Sequence, residues 1–309
     1  MTIRAATPLL ACALATSACL VIDAQGQRAE GSFARTLTVS GPVDLDVQTG
    51  AGDIEVRIGQ PGTVQVDARI RAWASDGADA AARVRQVEAD PPVEQSGSTV
   101  RLGVRKDDRW NWNRISISYT VTVPPDTRLR TRTGSGDQLL AGVQRDVDAS
   151  SGSGDLRIGN VGGAVRATAG SGDISVAGSG GGVEARSGSG NVIVNGAGTG
   201  RTGIGTGSGD VRVTGVQGPL SLHTASGNIE VEGTPAAPWN LAASSGDIRV
   251  VLSGTPAFDL QASSSSGRIQ SDAPVTVAGQ LSRRALRGQV RGGGPAVAIS
   301  TASGDIQIR

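Results

Sequence analysis

Aromatic residues are nearly missing from this 309-residue chain: one Tyr, two Phe and four Trp make up 2% of it. A core without large rings has to be thin and aliphatic. Cysteine is as scarce, with only Cys12 and Cys19, both close to the N-terminus. That leaves the body of the chain without a disulfide framework or a Cys-based metal site. There is one histidine, His223, and no single serine stands out among many, so no Ser-His-Asp set can be argued. Charge of one sign is absent too: 29 basic residues face 28 acidic ones, a net of +1. A broad electrostatic footprint for nucleic acid is therefore excluded.

What the chain has is glycine, 46 of them, placed periodically. After residue 130 the phrase Ser/Thr-x-Ser-Gly-Asp/Asn-apolar-x-apolar returns as SGSGDLRI, AGSGDISV, SGSGNVIV, TGSGDVRV, TASGNIEV, SSGDIRV and, at the end, TASGDIQI. Its acidic or amide position falls at Asp137, Asp155, Asp173, Asn191, Asp210, Asn228 and Asp247, intervals of 18 or 19 residues. A short fixed period marks a solenoid, in which each repeat buries its apolar face against its neighbours.

Two alternating runs occur in each repeat. Before the corner come pairs such as Val165/Ala167, Val183/Ala185, Leu220/Leu222 and Trp239/Leu241; after it come Ile174/Val176, Val192/Val194 and Val211/Val213. Period-2 alternation predicts two half-buried strands per coil. The Ser-Gly-Asp/Asn phrase forms the corner between them, with the Asp/Asn side chain bonding local backbone in an Asx-turn. A second Gly-rich corner, such as Asn160–Gly163 or Ala177–Gly182, closes the coil. The expected fold is all-β: a right-handed parallel β-solenoid of 18–19 residues per coil. By parity, Val165, Val183, Leu220 and Trp239 share one inward column and His223 points outward. Among outward positions, Arg130, Asp148, Arg166 and Glu184 alternate in sign, as do Arg212, Glu230 and Arg249. Alternation suits a register-setting ladder better than a ligand stripe, because it cancels the field.

The N-terminus reads as a targeting segment. Arg4 precedes the apolar run Ala5–Ala15, too brief to span a bilayer, and then Thr16-Ser17-Ala18-Cys19. This pattern resembles a bacterial lipoprotein signal, with cleavage before a lipidated Cys19; secretion with cleavage near Ala24 is the alternative. The expected organisation is a signal peptide over 1–18, lipidated Cys19 and a polar tether over 19–33, and a β-solenoid over 34–309. Within the solenoid, 59–124 is a capping insertion with a short helix over Asp76–Val87, and 125–309 holds the repeat coils. Residues Ala34–Ile58 already contain one coil. From Arg268 to Asp305 the spacing suggests about two more, with an Arg-rich stretch at Arg283, Arg284, Arg287 and Arg291.

The stretch YTVTVPPDTRLRTRTGSGD (Tyr119–Asp137), the SGDI/SGNI phrases and the terminal GGGPAVAISTASGDIQIR together resemble a bacterial family of β-strand-repeat proteins labelled candidate adhesins, a domain of unknown function. The likeness covers about residues 34–309. It implies a β-helical fold and an exported or membrane-associated setting, with no catalytic residues to carry over.

Two chemistries are weighed against that reading. The corner Asp column resembles a calcium nonapeptide, but one carboxylate per coil is too few for an ion that takes 6–8 oxygens; no metal or cofactor is expected. A polysaccharide-active enzyme on a β-helix needs paired carboxylates, and the outward positions carry only isolated ladder charges. The expectation is a non-enzymatic envelope interaction protein, membrane-anchored through Cys19, with the polysaccharide enzyme as alternative. Its partner would be an envelope polymer or protein, not nucleic acid. The candidate contact residues are Trp110 and Trp112 at a hairpin tip, flanked by Arg109 and Arg114, since rings at loop tips stack on sugars. A cap over the solenoid end is the other role for the two rings.

Overall fold

A computed structural model describes residues 21–22, 28–75, 77–103, 114–277 and 284–309. These residues form two sheets of fourteen strands each and one helix, Gly77–Ala89. The leading sheet holds the strands that precede the Ser-Gly-Asp/Asn corners, and the trailing sheet holds those that follow. Through the repeats, equivalent strands of successive coils pair in parallel, with register shifts only after Asn195 and after Thr214 at the second corner. In the leading sheet Val147–Ser151 pairs with Val165–Ala169, which pairs with Val183–Ser187. In the trailing sheet Leu156–Val161 pairs with Ile174–Ser179. The fold is the parallel two-sheet β-solenoid that the alternation predicts.

The inward column of the leading sheet runs Val147, Val165, Val183, Thr202, Leu220, Trp239 and Val297, every member at most 3% exposed. Each coil adds about four small aliphatics, for example Val165, Ala167, Ile174 and Val176. Burying a Val or Ile contributes roughly 1.5–3 kcal/mol, so a thin core accumulates by stacking rather than by ring area. Trp239 is the exception, and its indole N–H donates to Gly218 O at 3.2 Å.

The corners differ from the expected Asx-turn. Each Asp/Asn carboxylate or amide oxygen accepts from the N–H of the same position one coil on, not from its own turn. Asp155 N donates to Asp137 Oδ1 at 2.9 Å, Asp173 N to Asp155 Oδ1 at 3.0 Å, and Asn191 N to Asp173 Oδ1 at 2.7 Å. The column continues to Asp305 on Asp247. The reason is spacing: stacked coils bring the next corner's N–H nearer than any free donor within the turn. The corner glycine is fixed by the same closeness. A Cβ on Gly172 would lie 2.1 Å from Gly154 O, and one on Gly190 2.0 Å from Gly172 O. Inside the corner a buried Ser or Thr bridges both coils: Ser187 Oγ accepts from Gly190 N at 2.9 Å and donates to Gly172 O at 3.0 Å.

Both ends depart from simple succession. Strand Thr99–Leu102 and strand Ile115–Val123 lie inside the expected insertion, yet they stack as an outer rung on Val43–Thr49 and Ile54–Ile58. The chain then passes over that first coil, so that Thr127–Thr133 and Gln138–Ala141 pair with its other side. At the far end, Ala296–Ser303 and Ile306–Ile308 insert between the coil of Trp239–Leu252 and the coil of Phe258–Ser271. Arg268 and Asp305 are therefore direct neighbours, with Arg268 N donating to Asp305 Oδ1 at 2.8 Å, rather than two coils apart. The intervening residues include a hairpin, Val275–Val277 with Ala285–Val290. Arg284 and Arg287 lie at its second strand, and Arg291 donates to Pro256 O at 3.2 Å; Arg283 lies outside the described residues.

The expected tether is shorter than the 19–33 boundary. Arg28–Thr38 is a strand, paired antiparallel with Thr63–Trp73 along its whole length. Its alternation buries Ala29 and Phe33, which a solvated tether would not do. The helix Gly77–Ala89 covers this extension through Ala80, Ala81, Val84 and Val87.

Candidate functional site

A shallow groove of about 1180 Å³ lies on the outer face of the leading sheet. Its floor is the expected charge ladder, and the ladder is longer than the sequence order suggests. Register places Arg101 beside Asp46, Asp46 beside Arg130, and then Asp148, Arg166 and Glu184 in turn. Glu94 lies beyond Arg101. Seven outward side chains thus alternate in sign across seven strands. Arg130 and Asp148 approach to 3.6 Å, while Glu184 is shared by Arg166 and Arg186, each at 2.8 Å. Parity in the sequence found four of the seven. The other three were hidden because their strands stack out of chain order.

The ladder stops abruptly at strand Thr202–Thr206. Its two outward residues are Gly203 and Gly205, opposite Glu184 and Arg186 on one side and Ser221 and His223 on the other. A Cβ at either glycine would meet nothing within 4 Å, and neither has a positive φ. Packing does not require glycine there. The result is a bare strip of backbone between two walls, about two strand spacings or ~10 Å wide. Exposed Arg201 stands at one end of this strip, and among the described residues no ion pair occupies it. Exposed His223 lies on the far wall, as parity predicts.

Around the groove six arginines, Arg101, Arg128, Arg130, Arg166, Arg186 and Arg201, face five acids, Asp44, Asp46, Asp146, Asp148 and Glu184. The small surplus is concentrated at the glycine strip, where Glu184 is already shared by Arg166 and Arg186 and Arg201 adds a further positive charge. Such a surface can hydrogen-bond hydroxyl or carboxylate groups along an extended molecule while its floor stays electrically neutral.

Of the sequence-predicted contact residues, Arg114 is exposed and adopts φ 66°, immediately before strand Ile115–Val123; its carbonyl accepts from Trp73 N at 2.9 Å. It is on the trailing sheet, away from the groove. Arg109, Trp110, Trp112 and the lipidation candidate Cys19 lie outside the described residues. Among the described residues no group of three or more His, Cys, Asp or Glu could hold a metal ion, and no helix is long and apolar enough to cross a membrane.

Solved structures align over nearly the whole chain at low identity. A candidate adhesin from Bacteroides fragilis NCTC 9343 is 13% identical with a TM-score of 0.40, covering 90% of this chain and 97% of that one. A candidate adhesin from Parabacteroides distasonis ATCC 8503 is 10% identical with a TM-score of 0.37, covering 90% and 97%. No curated protein matches. A family model does match, across residues 63–309, the repeats and the rung beneath them: the chain belongs to the Toastrack DUF4097 family.

Proposed function

We propose that this chain is an exported, adhesin-like interaction protein of the cell envelope, which holds a polymer and performs no chemistry on it. The observation that carries the reading is the groove, with its neutral ladder floor and its bare glycine strip. A glycine-exposed backbone between polar walls admits a sugar ring at close range, where side chains on every other strand would hold it away. Arg186, Arg201 and His223 supply donors at the rim. The partner of this reading is a neutral or weakly anionic envelope polysaccharide. Trp110 and Trp112, with Arg109 and Arg114, form a second proposed contact, and Cys19 the proposed lipid attachment that keeps the solenoid at a membrane.

A polysaccharide-active enzyme has less support. Its paired carboxylates would have to come from acids such as Asp148 and Glu184, which already face arginines across the ladder. The test is co-sedimentation of the full chain with purified peptidoglycan and with lipopolysaccharide. Gly205→Leu, which fills the strip, and Arg201→Gln are each expected to reduce retention at least fivefold with the thermal midpoint unchanged. Changing Trp110 and Trp112 together to Ala is expected to do the same. Retention unaffected by all three, or release of cleaved saccharide from either polymer, would overturn the reading.

A further inference from the structure

We infer that a second concavity, of about 440 Å³, at the corner end of strands Val43–Thr49 and Ile115–Val123, binds a small carboxylate with an apolar body. The site lies beside the corner of the outer rung, between Gly103 and Ile117. Strand Val43–Thr49 pairs with Thr99–Leu102 only as far as Val47, and Gln48 and Thr49 run on beyond it. Elsewhere each corner glycine lies against the one below: a Cβ on Gly134 would be 2.3 Å from Gly50 O. A Cβ on Gly50 itself would meet none of the described residues within 4 Å.

Tyr119, the chain's one tyrosine, lines this space. It is 1% exposed, and among the described residues its hydroxyl has no hydrogen-bond partner. Phe33 packs edge-on against the ring at 6.4 Å between centroids. The hydroxyl reaches the wall at Gly103, whose Cβ would sit 3.3 Å from it. Burial pushes the phenol's pKa up, so it remains a neutral donor. Leaving such a donor unmade costs about 1–3 kcal/mol, and a phenylalanine would fill the same volume without that penalty. The orphaned hydroxyl therefore points to an acceptor that arrives from outside.

Arg132 is at the mouth. Its register neighbours are Gln48 and Ser150, not acids, unlike Arg130 two residues earlier, which lies between Asp46 and Asp148. Among the described residues it forms no ion pair. Ile115 and Ile117 supply the apolar wall. A buried neutral donor, an unpaired guanidinium and two isoleucines select a molecule with acceptor oxygens at one end and hydrocarbon at the other. The inference is independent of the groove, which faces outward on the ladder side.

The test uses the full chain with octanoate as probe and octanol as its uncharged counterpart, read by isothermal titration calorimetry. Octanoate is expected to bind at least tenfold more tightly than octanol. Arg132→Gln should abolish that preference, and Tyr119→Phe should weaken octanoate binding about tenfold while the protein melts no lower. Because Tyr119 is the lone tyrosine, ultraviolet resonance Raman of its Fermi doublet reads the phenol directly. Octanoate should shift it toward a hydrogen-bond donor. No binding at millimolar octanoate, equal binding of octanoate and octanol, or a doublet that already reports a donor and does not change would overturn the inference; the last would mean that water holds the hydroxyl.

Discussion

Two glycines four residues apart should respond to the same substitution with opposite signs. Gly209 is a corner glycine, and a Cβ there would lie 2.2 Å from Gly190 O and 2.6 Å from Gly190 C. Real Cβ contacts are essentially never under 3.0 Å, so the corner has to open by about 0.8 Å. Two bonds cross that gap: Asp210 N to Asn191 Oδ1 at 2.9 Å and Thr206 Oγ1 to Gly190 O at 3.0 Å. Each contributes about 0.5–1.5 kcal/mol. Overpacking strain adds about 1–3 kcal/mol. Gly209→Ala should therefore destabilise by about 2–6 kcal/mol. At Gly205 a Cβ meets nothing, φ is not positive, and the residue is in a strand interior. There the substitution removes excess unfolded-state freedom, and Gly205→Ala should be neutral or stabilising by up to about 1 kcal/mol. Urea unfolding followed by far-ultraviolet circular dichroism, compared at a common slope, measures both. Coil interfaces act nearly as nearest-neighbour contributions, so amide exchange in the Gly209 variant should quicken most on either side of that corner. Equal effects at the two sites, or a larger loss at Gly205, would refute the account of why each glycine is present.

Arg166→Glu leaves three acids in succession between strands Val147–Ser151 and Val183–Ser187, and breaks the 2.8 Å pair with Glu184. It should lower stability by about 1 kcal/mol at low salt and by less at high salt, seen as a falling urea midpoint. Cys19→Ser should move the protein from the membrane fraction to the soluble one; a wild-type chain that is itself soluble, with a mature N-terminus near Gln25, would favour plain secretion.

The coils were legible because each rung obeys local rules that repeat. Val165/Ala167 and Ile174/Val176 alternate, the corner glycine returns every 18 or 19 residues, and parity put Trp239 inward and His223 outward. The ends were not legible, since strand order there is not chain order. Asp46 pairs with Arg130, 84 residues away, because the chain has passed over its own first coil. The two features offered as sites were hidden for different reasons. Gly203 and Gly205 look like any of 46 glycines until their outward direction and open surroundings are known. Tyr119 is part of an ordinary alternating run, YTVTV, and only the absence of a partner for its hydroxyl sets it apart.

The interleaved ends bear on how such a thin protein resists fraying. A stacked array frays from its ends, where the last coil is held on one side only. In this chain the outermost coil at the C-terminal end is followed by residues that pack beneath it. At the C-terminal end, the coil of Phe258–Ser271 is outermost, yet the residues that follow it return to occupy the layer beneath, between it and Trp239–Leu252. At the opposite end, the rung of Thr99–Leu102 and Ile115–Val123 lies over a coil that precedes it in sequence, and the chain leaves it for the far side of that coil. Peeling the coil of Phe258–Ser271 away leaves the chain on both sides of it anchored in coils further in. The entropy released by fraying is then that of a tethered loop rather than a free tail, and grows only slowly with loop length. The open sheet edges receive further cover: the Ala285–Val290 strand pairs antiparallel over Phe258–Ser264, and the helix Gly77–Ala89 packs on Arg28–Thr38. Both devices act where nearest-neighbour stacking is weakest, so the middle coils can remain small, aliphatic and regular and can present a long flat ladder face to solvent.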